Sequence, residues 1–438
     1  MFQYYFMLGL RSLRRNPALT ALLVLTLAVG VAASIATLTI LHVMSGDPIP
    51  QKSDRLFVPT FDTGPLQGYK PGDDPNDLQL GWRDASNLLA SKIGERRTAL
   101  YGVAGPLESD RPDLGVFTVR GIAVTADFFP MFEAPFRHGQ AWNAADDQAG
   151  APVIVLSSQL AAKLYGDESP VGRRLRLGGN AYQVIGVLQK WTVVPRFHHI
   201  IGSNDGGFSE EDEFFVPLST SVQRQMERNG NTGCTSDPGP GYQAFLDSEC
   251  TWLHFWFELA GSGGRAELQS FLDSYAAEQR KLGRMQRQAP NHLYDVREWL
   301  DFNKVVGNDN KLSAWLAFGF LLLCLVNTIG LLLAKFSVRA PEVGIRRALG
   351  ASRREIFVQF LLESTVVGLA GGLLGLLLAF GALGLIAMQS KALTRVAHMD
   401  WTMLLATFAL AVAAAIVAGL LPTWRACQVT PALQLKSQ

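Results

Sequence analysis

Four long stretches of the chain contain no Asp, Glu, Lys or Arg, and they cover residues 16–41, 312–334, 364–390 and 401–424. Each is longer than the ~20 apolar residues with which a helix crosses the ~30 Å hydrocarbon core of a membrane. A buried helix of a soluble protein rarely stays uncharged for so long, so the pattern favours a membrane protein. We therefore predict four transmembrane helices, at residues 18–43, 312–336, 357–388 and 401–424, with a short loop at 389–400 between the last two.

The pattern between the first two spans is of a different kind. Short runs of alternating or apolar residues predict strands at 56–58, 116–124, 153–156 and 252–259. Amphipathic or polar stretches predict helices at 82–100, 159–165 and 267–288. Gly178, Gly179 and Asn180 tolerate positive φ and predict a hairpin between strands at 174–177 and 182–187. Residues 44–311 are thus expected to form a large mixed α/β domain inserted between helices 1 and 2.

Composition and charge agree with this division. With 48% hydrophobic and 18% charged residues, the chain is too apolar for a disordered protein or a nucleic-acid binder. Residues 44–311 hold 34 acidic and 26 basic residues, a net −8, whereas the remaining 170 residues hold 4 acidic and 13 basic, a net +9. The chain therefore has an acidic, soluble central segment flanked by basic and very apolar segments.

Basic residues near the ends of the spans predict the orientation. They lie in the N-terminal segment 1–17, in the segment 337–356 and in the tail 425–438, and the positive-inside rule places all three in the cytoplasm. The block 44–311 then faces outward, which in a Gram-negative cell is the periplasm. The first apolar run far exceeds the ~7–15 residues of a signal-peptide core, which favours an uncleaved anchor over a cleaved signal.

Two of the four cysteines, Cys234 and Cys250, fall in the outward block. In an oxidising compartment we expect them to form a disulfide, and closing a ~15-residue loop stabilises a fold by up to ~3 kcal/mol in the chain-entropy model. Two free buried thiols are the alternative.

The outward block resembles the periplasmic core domain of MacB-type permeases. The resemblance rests on the order and spacing of short segments: residues 117–122 (FTVRGI), 127–130 (DFFP), 155–157 (VLS), 161–166 (AAKLYG), 170–172 (PVG) and 182–187 (YQVIGV). It implies a mixed α/β domain made of two subdomains.

The segment 339–357, RAPEVGIRRALGASRREIF, predicts a short helix, a turn and the start of a long helix. Pro341 suits a first helical turn, Glu342 suits the positive end of the helix dipole, and Gly350 suits a helix stop. Ser352 with Glu355 three residues later forms a capping box for the next helix. The residues alone fit equally well an amphipathic helix that lies on lipid headgroups.

The same segment resembles the motif shared by FtsX, LolC/LolE and MacB permeases, and the tail 419–435 resembles their closing motif. In that family the short helix is the coupling helix, which docks on a cytoplasmic ATPase. By position, the resemblance gives these docking candidates: Glu342, Gly344, Ile345, Arg346, Arg347, Leu349, Gly350, Ala351 and Ser352.

Small residues and one acid mark the third span. Four glycines spaced for close helix–helix contact, either within the subunit or in a dimer, are Gly368, Gly371, Gly372 and Gly375. We interpret Glu363 as an acid lying within reach of the membrane interface.

Motifs for catalysis are absent from these 438 residues. No lysine follows a glycine, so the G-x-x-x-x-G-K-[ST] phosphate loop does not occur, and neither H-E-x-x-H nor G-x-S-x-G is present. No metal site is expected: we interpret His198 and His199 as loop residues and the acidic run 210–213 as a solvated loop. The ATPase, with its ATP and Mg²⁺, is therefore expected on a separate chain.

Together the resemblance implies a non-catalytic permease subunit of an ABC transporter in the inner membrane. It would use ATP hydrolysis by a partner to move its periplasmic domain and to export or extract an amphiphile such as a drug, peptide or lipoprotein. Expected partners are the ATPase, a second permease copy, membrane lipid, and a periplasmic adaptor with an outer-membrane channel. The alternatives are an FtsX-like regulator of a periplasmic hydrolase and a membrane-anchored periplasmic enzyme.

Overall fold

The computed structural model describes residues 16–73, 78–109, 111, 113–201, 206–208, 211–287, 291–388 and 401–427. Within them the chain forms two compact units, which we call the inserted unit (Gly46–Val305) and the helical unit, built from the segments before and after it. Most of the predicted cytoplasmic N-terminus, the loop 389–400 and the tail beyond residue 427 lie outside the described residues.

The helices are numbered along the chain. They are α1 Pro17–Ser45, α2 Trp82–Ala90, α3 Phe128–Met131, α4 Ala144–Ala149, α5 Ser158–Tyr165, α6 Leu218–Gln223, α7 Tyr242–Asp247, α8 Arg265–Lys281, α9 Val296–Phe302, α10 Asn308–Ser337, α11 Ala340–Ala348, α12 Arg353–Ala387 and α13 Trp401–Cys427. The helical unit contains α1 and α10 to α13, and the other helices belong to the inserted unit.

The inserted unit is built on one mixed sheet. Its strands are β1 Leu56–Thr60, β2 Leu80–Gly81, β3 Arg96–Glu108, β4 Val116–Val124, β5 Phe136–Gly139, β6 Val153–Leu156, β7 Arg174–Leu177, β8 Asn180–Leu188, β9 Phe214–Pro217, β10 Thr251–Glu258 and β11 His292–Asp295. The order is β11-β1-β10-β3-β4-β9-β6-β8-β5, with β2 added to β10 and β7 pairing with β3 and β8. All described strands join this one sheet, so the predicted division into two subdomains is not confirmed.

Both faces of the sheet are buried. Along β10, Phe255 and Phe257 pack into a cluster on one face and Trp256 packs into a cluster on the other, as the two-residue period of a strand requires. The first cluster includes residues of α2, α5 and α8, and the second includes residues of α3 and α9. This two-sided burial explains why the strands are rich in large apolar residues.

Two helices of this unit are shorter than the sequence pattern predicts. The predicted helix 82–100 ends at Ala90, because Ser91 is extended, Gly94 takes a left-handed φ of 78°, and Thr98 to Leu100 pair with β10. The predicted helix 267–288 ends at Lys281, ahead of the left-handed Gly283. Its apolar side, with Leu268, Leu272 and Ala276, is buried in the core.

In its described residues, the helical unit contains three helices that are long and apolar enough to cross a membrane: α1 with 29 residues, α10 with 30 and α12 with 35. The helix α13 covers the fourth predicted span. A membrane crossing by α13 stays a prediction.

Small residues set the closest contacts between these helices. A Cβ added to Gly371 would lie 2.9 Å from Leu27, and one added to Gly375 would lie 3.0 Å from the Ala28 carbonyl oxygen and from Val31. On the other side of α1, a Cβ at Gly30 would lie 2.8 Å from Cys324 of α10. The helix α1 therefore packs between α10 and α12, and these two glycines of α12 contact α1 of their own chain.

Candidate functional site

The candidate site is the helix α11 with the turn that follows it. Pro341 stands in its first turn, Glu342 is the acid of that turn, and Arg346 and Arg347 lie in the last turn. The helix dipole favours an acidic residue in the first turn and basic residues in the last turn, as found here. An Arg346 Nη2 atom lies 2.6 Å from Glu342 Oε1, so the helix also carries an ion pair across one turn.

The end of α11 and the start of α12 follow from local chemistry. Gly350 adopts a φ of 99°, which residues with a Cβ rarely take, and this reverses the chain after α11. The Ser352 hydroxyl accepts from the Glu355 amide, while the Glu355 carboxylate accepts from the Ser352 amide at 2.9 Å. Two of the free amides at the start of α12 thereby gain partners.

The helix α11 has a buried side and an exposed side. Val343 and Gly344 are buried. Ile345 and Leu349 are 56% and 83% exposed, and Pro341 and Ala348 are exposed with them. These four positions follow the spacing of one helical face, and we call them the exposed stripe.

The other predicted docking residues border this stripe. Glu342, Arg346, Arg347 and Ala351 are partly exposed, Gly350 and Ser352 are exposed, and Gly344 lies on the buried side. The sequence interpretation did not include Pro341 and Ala348, although their spacing from Ile345 placed them on the same face.

The most notable polar group of the helical unit is Glu363. Its side chain is 3% exposed, and its carboxylate lies 3.0 Å from Lys335 Nζ and 2.8 Å from Arg339 Nη1. Lys335 is itself fully buried. The interpretation of Glu363 as a residue near the membrane interface stays a prediction, and the structure adds that the carboxylate is held between two cations inside the helix bundle.

The sequence carried a signal for this cluster. Lys335 ends an uncharged stretch and Arg339 follows four residues later, so two cations lie close to the end of the predicted second span. Glu363 is the one acidic residue between Glu355 and Asp400. Only the packing of α10 against α12 shows that these charges meet.

An apolar cluster lies beside this ion group and reaches α11. It contains one residue of α11, Val343, and residues of three spans: Leu23, Leu332, Phe336, Ile356, Phe360 and Val367. The rings of Phe336 and Phe360 lie 4.4 Å apart, centroid to centroid. The buried side of α11 is thus continuous with the packing of α1, α10 and α12.

Two pairs of residues in the inserted unit, Cys234 with Cys250 and His198 with His199, are of types that can carry chemistry. The disulfide between Cys234 and Cys250 is formed. His198 and His199 form a short 3-10 turn and are buried, so the interpretation as ordinary loop residues misses their burial among aromatic rings.

The acidic run is not a solvated loop in its described part. Asp212 pairs with Arg196, Glu211 accepts from Thr192 Oγ1, and Glu213 accepts from the Arg120 amide. Glu210 lies outside the described residues. No group of three His, Cys, Asp or Glu side chains that could hold a metal occurs in the described ranges.

Comparison with known proteins assigns both parts of the chain. The model of the MacB-like periplasmic core domain matches residues 20–242, just over half of the chain, and the model of the FtsX-like permease C-terminal domain matches residues 314–431. The chain belongs to the MacB/FtsX family of ABC transporter permeases. The second match contains α11, the exposed stripe and the ion group of Glu363.

Named relatives agree with this family. The chain is 26% identical over 441 residues to a macrolide export ATP-binding/permease protein MacB of Hyphomonas neptunium, covering 98% of this chain and 60% of that one. The MacB of Bdellovibrio bacteriovorus is 27% identical, with coverage of 56% and 33%. The pyoverdine export ATP-binding/permease protein PvdT of Pseudomonas syringae pv. tomato is 25% identical, with coverage of 71% and 42%. The chain thus spans 60% or less of the length of these relatives.

Membership of the MacB/FtsX family indicates the cellular location of the chain and of its inserted unit. The family is a permease component of ABC transporters, and the match names the inserted unit as a periplasmic domain. With three apolar helices of spanning length, the chain is an inner-membrane protein with a periplasmic domain.

Proposed function

We propose that this chain is a non-catalytic permease subunit that transmits ATP-driven motion across the inner membrane. A cytoplasmic ABC ATPase, on a partner chain with its ATP and Mg²⁺, would bind α11. Displacement of α11 would then shift the spans and with them the periplasmic domain. The observation that carries the proposal is the geometry of α11, whose outer face offers an exposed apolar stripe while its inner face packs into the bundle.

An exposed apolar stripe is costly unless something covers it. Ile345 and Leu349 expose most of their surface, and each buried methylene contributes about 0.8 kcal/mol when a partner covers it. Arg346 and Arg347 border the stripe and offer charged hydrogen bonds to an acidic rim. A groove that is apolar at its centre and acidic at its edge therefore fits α11 best.

The proposed topology follows the distribution of basic residues. The N-terminus, α11 and the C-terminal tail are placed in the cytoplasm, and α13 is placed as a fourth span. An even number of spans is needed for both termini to lie on one side.

The proposed cargo is an amphiphile in the periplasm or the outer leaflet. Two relatives are named for macrolide export and one for pyoverdine export, and we extend the class of exported substrate to this chain. We further propose that two permease copies act together and that a periplasmic adaptor and an outer-membrane channel complete the route.

The proposal is tested by co-purification with an ABC ATPase co-expressed from the same genome. Ile345→Asp and Leu349→Asp place a charge in the stripe, so we expect ATPase association to fall at least about tenfold, the equivalent of 1.4 kcal/mol. Glu342→Lys with Arg346→Glu keeps an ion pair across the turn but reverses both charges, and should also weaken association.

Leu282→Asp is the matched control, because Leu282 is 68% exposed in the inserted unit. It should associate like the wild type. Unchanged association and ATPase activity in all α11 variants would remove the coupling assignment.

A further inference from the structure

The carboxylate of Glu363 joins three elements of the helical unit. Lys335 lies in the last turn of α10, Arg339 is the N-cap residue of α11, and Glu363 lies in the third turn of α12. Both cations approach the same carboxylate, at 3.0 Å and 2.8 Å. One buried side chain therefore connects α11 to both neighbouring helices.

A second polar contact ties α11 to the same side of α12. Arg346 donates from Nη1 to Gln359 Oε1 at 3.0 Å. Gln359 stands four residues before Glu363, so the two acceptors lie one turn apart on one face of α12. The first contact holds the start of α11 and the second holds its last turn.

The apolar contacts between these ties are less directional. Val343 packs with Ile356 and Phe360 between the two polar contacts. Apolar contacts tolerate sliding of one helix along another, whereas a buried carboxylate must keep its paired cations within about 3 Å. Buried charges are also costly to leave unpaired, which disfavours other positions of Arg339.

We infer that Glu363 is a positioning residue, which fixes α11 to α10 and α12 so that the three move as one body. We call Lys335, Arg339 and Glu363 the carboxylate clamp. A force applied to the exposed stripe is then transmitted to α10 and α12 together, and the turn at Arg339 does not bend. This inference rests on the proposed docking role of α11, but the clamp itself is tested without any ATPase.

The first experiment measures hydrogen exchange of the full-length chain in lipid nanodiscs. Glu363→Gln removes the negative charge but keeps the size of the side chain. We expect exchange in peptides covering residues 340–351 to rise about tenfold or more, as expected when charged hydrogen bonds are lost. Peptides covering residues 23–35 of α1 should change less than about twofold.

Two further variants separate positioning from general stability. Glu363→Asp keeps the carboxylate on a side chain one methylene shorter, and should hold the exchange of residues 340–351 within about threefold of the wild type, below that of Glu363→Gln. Asp309→Asn removes an exposed carboxylate at the other end of α10 and should leave residues 340–351 unchanged.

The inference is overturned if Glu363→Gln leaves exchange in residues 340–351 unchanged, if α1 loosens equally, or if Glu363→Asp raises the exchange of residues 340–351 as much as Glu363→Gln does. In the complex with the ATPase, Glu363→Gln should retain association while losing stimulation of ATP hydrolysis by substrate. If the wild type does not bind an ATPase, the proposed function fails, while the exchange result still decides whether the clamp fixes α11.

Discussion

At Gly371 and Gly375 the backbone of α12 lies directly against α1, and any side chain there would meet atoms closer than normal contact. Other glycines of the same helix have open space: nothing lies within 4 Å of a Cβ built at Gly381 or Gly384. Glycines of the same helix therefore differ in the effect that an added methyl group would have.

Substitution by alanine tests this difference. Gly375→Ala should destabilise the helical unit by about 1–3 kcal/mol, because overpacking forces α1 and α12 apart. Gly381→Ala, the matched control, should stabilise it by about 0.5–1 kcal/mol through helix propensity. Thermal unfolding in detergent measures both, and equal effects of the two substitutions would contradict the close packing of α1 on α12.

Three histidines of the inserted unit are buried and held neutral. Burial lowers the pKa of His199 and of His254 to about 3, and burial together with Arg196 and the two neighbouring imidazoles lowers the pKa of His198 well below its usual value. The rings of His199 and His254 lie 5.0 Å apart. The fold thus has no place for a charged imidazole at these positions.

We therefore predict that the inserted unit loses stability as the periplasm acidifies. Below about pH 6.5 the unfolded chain binds protons that the folded chain does not, so each imidazole removes up to about 1.4 kcal/mol per pH unit. Asp147, whose pKa burial raises to about 6, acts in the opposite direction but is a single group. Tryptophan fluorescence should report a lower unfolding temperature at pH 5 than at pH 7.

A substitution tests whether the three buried histidines cause this pH dependence. His199→Leu should reduce the loss between pH 7 and pH 5 by about a third, since one of three imidazoles is removed. His138→Gln changes a partly exposed histidine and should leave the loss as it is. An unfolding temperature that does not fall at pH 5 would refute the prediction.

Among the elements, the sequence predicted best those whose ends are set by local chemistry. The start of α12 follows from Ser352 and Glu355, and the stop after α11 follows from Gly350, which needs a left-handed backbone. The sequence also predicted α1, α10 and α12 well, because each contains a long apolar stretch.

Elements that depend on distant partners were not predictable in this way. Residues 96–100 continue the amphipathic pattern of α2, but pairing with β10 makes them a strand. The ion group of Glu363 depends on which faces of α10 and α12 meet, and a single sequence does not contain that information. Residues of α11 could thus be proposed from the sequence, whereas the clamp behind them required the structure.

At the scale of the whole molecule, the proposed function requires α11 and the inserted unit to act in different compartments. A membrane anchor alone would need neither an amphipathic α11 nor a buried ion group that connects α11 to the spans. Both features make sense if α11 meets a cytoplasmic motor while the inserted unit works in the periplasm. The central claim is therefore that these two parts lie on opposite sides of the inner membrane.

Cysteine labelling in spheroplasts tests this claim most directly, in a chain where Cys324 and Cys427 are replaced by alanine. Leu282→Cys, in the inserted unit, and Ala397→Cys, in the predicted loop 389–400, should react with a membrane-impermeant maleimide in intact spheroplasts. Leu349→Cys, in the exposed stripe, should react only after the membrane is permeabilised. Labelling of Leu349→Cys and Leu282→Cys from the same side would contradict the account.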